Sequence, residues 1–205
     1  MRAGKKLKSR AGFTLAETLL AVMILMLVSS IVVSGMPVAK NAYEKVVLAS
    51  NAEAFLSTAA QALRDELGTA WNVEYADGAL TYFSADTGMR CKLYKGADGN
   101  LEIEEYSEDT VADQLLGNLK KEGSKTTRKL VYQDESDKTQ FTVTATIGAP
   151  TYDAEKQEYS VTISGLCVNV KNGSSPLAAW KGTDAEGKET TDFVIPIFNQ
   201  YVPTT

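Results

Sequence analysis

A chain of 205 residues with 44% apolar and 23% charged residues has ordinary globular composition, which excludes a disordered tail, a peptide-sized scaffold and an all-membrane protein. Its net charge of −5 and pI of about 4.9 disfavour a dedicated nucleic-acid binder. Histidine is absent, which removes the commonest general base, the commonest zinc ligand and every Ser/His or Cys/His nucleophile pair; the two cysteines, Cys91 and Cys167, are too few for a thiolate zinc site or a disulfide framework.

The charge is unevenly placed. Five of the 21 basic residues (Arg2, Lys5, Lys6, Lys8 and Arg10) fall in the first twelve positions and none of the 26 acidic ones do, so residues 13 to 205 carry a balance of −10. From Thr18 to Ala39 there is no charge at all, and Leu19 to Val28 is uninterrupted apolar sequence. A helix over Phe13 to Gly35 would extend roughly 34 Å, about the hydrocarbon thickness of a bilayer. With the basic cluster on its N-terminal flank, the positive-inside rule keeps residues 1–12 cytoplasmic and sends the C-terminal bulk outside. Three processing fates compete: a signal peptide cut after Val33-Ser34-Gly35, an uncut single-span anchor, or a leader removed ahead of the apolar run. The first two leave Glu17 unexplained, since a carboxylate in an apolar span costs about 2.5–3.5 kcal/mol near a helix centre and somewhat less near an end.

Gly12-Phe13-Thr14-Leu15-Ala16-Glu17, behind a short basic leader and ahead of an apolar run, resembles the cleavage and methylation motif of type IV prepilins and type II secretion pseudopilins. The resemblance covers about 30 residues; Ala16 and Thr18 stand where that family more often has a larger aliphatic and a leucine. It implies that a prepilin peptidase cuts between Gly12 and Phe13 at the cytoplasmic face and methylates the new amine. The apolar segment then stays on the mature chain, and Glu17 becomes its fifth residue. It further implies that Glu17 meets the amine of a neighbouring subunit in a growing filament. An ammonium at a helix start opposes the macrodipole, and in a low dielectric either charge left alone is expensive, so such a pair would set axial register.

Gly35-Met36-Pro37 should weaken or kink the helix, and two separate helices divided at Pro37 is the alternative to one long one. From Val38 to Leu67 apolar residues recur at Ala42, Val46, Ala49, Ala52, Leu56, Ala59, Leu63 and Leu67, opposite Lys40, Glu44, Lys45, Asn51, Arg64 and Asp65, which predicts an amphipathic helix stopped at Gly68. Short strand-like runs follow: Trp71–Ala76, Ala79–Ala85, Met89–Lys95 and Leu101–Tyr106, then Lys129–Gln133, Thr139–Ile147, Glu158–Lys171 and Phe193–Phe198. Asp77-Gly78 predicts a tight hairpin, and Ala97-Asp98-Gly99-Asn100 a second turn. Residues 109–121 read as a short helix capped by Asp109. No long-period repeat occurs. The fold class is therefore α+β: leader 1–12, apolar helix 13–37, amphipathic helix 38–67, and an antiparallel β head over 68–205, which the resemblance makes pilin-like.

Cys91 and Cys167 both sit in expected strands, leaving two alternatives: a disulfide joining the strands, or two small core residues. The C-terminal disulfide loop of many pilins has no counterpart after Cys167. The basic run from Lys120 to Lys129 reads as a solvated loop, with contact to DNA or an anionic surface as the second reading. Glu102, Glu104, Glu105, Glu108, Asp109 and Asp113, like Asp184-Ala185-Glu186-Gly187, lack the spacing of a calcium loop. Trp71 and Trp180 suit core or interface anchors. No catalytic residue, cofactor or metal is expected. The resemblance implies a filament subunit, minor pilin or pseudopilin, of a pilus, secretion or competence system, whose partners are the prepilin peptidase, other subunits and the cytoplasmic membrane. Before assembly it would be a single-pass inner-membrane protein, and afterwards part of a surface filament. A membrane-anchored extracellular β module that binds ligands and never polymerises is the alternative; an enzyme ranks third.

Overall fold

The computed structural model describes residues 14–110, 113, 124–134, 136–137, 139–171, 173, 175–184 and 186–198. Gly12, Phe13, the C-terminal residues 199–205 and most of the helix expected over 109–121 lie outside them.

One helix, α1, runs Leu15–Gly68 with Pro37 inside it, so the expected break does not occur. Proline removes one i to i−4 bond and no more, and the good helix formers on either side carry the element through. Thr18 donates its hydroxyl to the Leu15 carbonyl at 2.8 Å, and Ser34 donates to that of Ser30, so these hydroxyls in the apolar half are satisfied within the helix. The end falls at Gly68 as expected, with the Thr69 hydroxyl donating to the Asp65 carbonyl at 2.9 Å.

Two compact units divide within α1, Met1–Val47 and Leu48–Thr205. Burial explains the position. Residues 14–47 are all exposed, whereas Ala52, Leu56, Ala59, Ala60, Leu63 and Leu67 are buried in the core of the second unit. Of the expected apolar stripe, Ala42 and Val46 are thus uncovered and its lower part is packed.

In the second unit, β1 (Trp71–Ala76), β2 (Ala79–Phe83), β3 (Met89–Lys95), β4 (Leu101–Thr110) and β5 (Lys125–Lys129) form an antiparallel sheet in that order. Asp77 and Gly78, at φ 52° and 76°, make the tight turn their sequence predicts. A second antiparallel sheet is built around β8 (Glu158–Val170), flanked by β6 (Phe141–Ile147) and β12 (Asp192–Ile197), with β7 (Thr151–Asp153) and β9 (Ala178–Ala179) also on β8. β10 (Gly182–Thr183) and β11 (Glu189–Thr190) pair separately. Tyr82, Leu80, Leu93 and Ile103 of the first sheet and Val161, Ile163, Leu166 and Ile195 of the second close one core with α1. At about 1.5–3 kcal/mol per large apolar side chain removed from water, this core is what orders the unit.

Three strand expectations need correction. β4 continues to Thr110, so Asp109 lies in a strand. The strand expected at Lys129–Gln133 is instead Lys125–Lys129, which turns the second half of the supposed basic loop into a sheet edge. β7, β9, β10 and β11 were not foreseen; each has two or three residues.

Candidate functional site

Helix α1 opens on a reciprocal cap. The Thr14 N–H and hydroxyl donate to Glu17 Oε2 at 2.9 and 3.0 Å, and the Glu17 N–H donates to Thr14 Oγ1 at 3.3 Å. This is the Thr-x-x-Glu capping box, in which two orphan N–H groups of a helix start are satisfied at once. The spacing was readable in Thr14-Leu15-Ala16-Glu17, and it gives Glu17 a partner within its own turn. Both bonds to the carboxylate use Oε2.

Downstream of the cap, fifteen large apolar side chains between Leu15 and Val38 are exposed. At about 1.5–3 kcal/mol for each one fully covered, leaving them in water costs on the order of tens of kcal/mol. The segment is long and apolar enough to cross a membrane, the coarse outcome of the single-span reading.

Several charged residues of the head are engaged with one another. On one face of the first sheet Tyr106 Oη donates to Glu104 Oε2 at 2.6 Å, Lys125 lies 2.9 Å from the Glu104 carboxylate, and Arg90 stacks 4.0 Å over the Tyr106 ring. Burial pushes the Glu104 carboxyl up, but the hydrogen bonds from Lys125 and Tyr106 outweigh it and hold it below its ordinary value. Burial and the Glu104 bond raise the Tyr106 hydroxyl to about 12. On the other face Arg128 bonds Glu66 of α1 at 2.8 Å and approaches Glu105 at 3.5 Å. Tyr94 Oη donates to Glu102 at 3.0 Å. Glu102, Glu104 and Glu105 are thus spent on neighbours, as are Lys125 and Arg128 of the basic run. The Asp184 carboxylate accepts the N–H groups of Glu186 and Lys188, a turn. Among the described residues no cluster of three or more His, Cys, Asp or Glu side chains is placed to hold a metal ion.

Cys91 and Cys167 are free, a correction to the bridge alternative. Cys91 on β3 is fully buried; burial, then the Glu66 and Glu105 charges, raise its thiol to about 12. Cys167 belongs to the other sheet, half-buried beside the Thr144 hydroxyl at 3.1 Å. The cause is a bulge opposite Thr144–Thr146, where Gly165 adopts φ 65°. Val161 and Ile163 face the core before it and Leu166 and Val168 after it, which turns Cys167 outward. Trp71 stacks edge-on against Phe83 at 6.3 Å and Trp180 against Phe193 at 4.7 Å, both as packing anchors.

Comparison of the chain with protein-family models, with curated proteins and with solved structures returned no match.

Proposed function

We propose that the chain is a type IV pilin-like filament subunit, a minor pilin or pseudopilin, cut between Gly12 and Phe13 and assembled through α1. The observation that carries the reading is that one unbroken helix is bare over residues 14–47 and packed into a β head over its last turns. Such an element needs lipid first and copies of itself afterwards, and Glu17 at its start is the group that resembles the family's register-setting acid. The basic leader then stays cytoplasmic and the head lies beyond the membrane. Mass spectrometry of the chain extracted from membranes tests this: a methylated Phe13 start is expected. An intact Met1 end points to the plain anchor, and a start at Met36 to signal-peptidase export.

The second reading, a single-pass anchored β module, draws on the capping box. Because Thr14 already satisfies Glu17, the carboxylate needs no neighbour to be tolerated at the end of an apolar helix.

A further inference from the structure

Above the uncharged span, α1 carries a ten-residue collar, Val38–Val47, that the chain leaves uncovered. Val38 is 70% and Val46 68% exposed, and Ala42 and Lys45 are exposed as well. At 100° per residue Val38, Ala42 and Lys45 lie on one side of the collar with Val46 at its edge, so Lys45, expected on the polar face, shares the apolar one instead. The collar is therefore an uncovered apolar face with one cation on it. Lys45 has no ion pair among the described residues, whereas Lys40 is paired with Glu44 at 3.7 Å.

The head offers a matching concavity. A cleft of ≈ 640 Å³ has an apolar floor of Ala54, Phe55 and Phe141, the two rings 5.4 Å apart. Its rim carries Tyr132, 86% exposed, and the carboxylates of Asp134 and Asp137. Neither carboxylate has a cationic partner among the described residues; the Asp134 carboxylate accepts the N–H and hydroxyl of Ser136.

From the two unsatisfied surfaces we infer that the collar of one copy docks in the Phe55–Phe141 cleft of a second copy, with Lys45 set against Asp134 and Asp137. The apolar stripe fits the floor and the lone cation fits the rim. The charges select this pairing over like-with-like contact, because collar on collar opposes two lysines and cleft on cleft opposes four carboxylates. The two patches differ, so the contact is heterologous, and the filament reading takes the open, repeating form of such a contact in place of a closed ring. It deepens the filament reading and rests on its premise that copies assemble side by side.

The test uses full-length chains, isotopically heavy and light, co-expressed in one membrane and treated with a zero-length carbodiimide that joins amines to carboxylates. Peptides linking Lys45 of one label to Asp134 or Asp137 of the other are the expected product. Lys45→Glu and Asp137→Lys each reduce the assembled fraction by about fivefold, as opposed rim charges do. Combined in one chain they restore it, since every copy supplies both halves. Filaments that begin at methylated Phe13 but lack the mixed-label link overturn the docking and leave the filament reading standing. Links found only within one label also overturn it. A chain that stays monomeric in the membrane overturns both.

Discussion

Thr14 and Glu17 hold each other in a turn, the proposed filament role offers the same carboxylate to a neighbour's amine, and the two duties can be separated by chemistry. Glutamine completes a capping box as well as glutamate does but carries no charge. Glu17→Gln should therefore keep the start of α1 intact, allow cleavage before Phe13, and still fail to enter filaments. Sedimentation of sheared filaments reads the result, and wild-type assembly by the glutamine variant would reduce Glu17 to a cap. The cysteines give a second test at this scale. A thiol held near 12 and fully buried is inert at neutral pH, so native chain exposed to a thiol reagent should be labelled at Cys167 and spared at Cys91. Equal labelling of both would contradict the placement of Cys91 in the core.

Elements differ in how openly their residues announce them. β1 and β3 were legible to the residue, because Asp77-Gly78 fixes one hairpin and Gly96 to Asn100 closes the next. α1 was legible as a helix but not as one helix, since the cost of Pro37 is local and the flanking residues outweigh it. β5 was hidden because Lys-Thr-Thr-Arg-Lys shows no alternation; an edge strand exposed throughout has no buried face to leave a period. Gly165 hid the outward turn of Cys167, as one extra residue in a ladder inverts the pattern beyond it. Among the site residues Glu17 stood out by its charge, while the Thr14 partnership lay in a spacing that was present and passed over. The β4–β5 pair also sets a pH response. Glu104 is held below its ordinary range when folded, so its contribution is present above the unfolded carboxylate value near 4.5 and is lost as the pH falls through the lower folded one. Urea midpoints of the detergent-solubilised chain should drop on acidification below that range, and by less in Glu104→Gln.

At the scale of the molecule, a packed head and a bare helical shaft share one continuous backbone. Leu63, fully buried in the core that α1 shares with the two sheets, is the natural probe of the head: Leu63→Ala should cost about 2–5 kcal/mol in denaturant unfolding while leaving membrane insertion of the apolar segment unchanged. A loss under 1 kcal/mol would mean that the helix does not seal the core. A polar stitch also ties the two sheets. Asn100, buried at the end of the β3–β4 turn, accepts the Val143 N–H of the opposite sheet through its Oδ1 at 2.7 Å. An N–H stranded there would cost roughly 1–3 kcal/mol, so neither half can slide or peel away alone without that penalty. Melting of the head is accordingly expected to be concerted, with the two layers giving way together instead of one at a time.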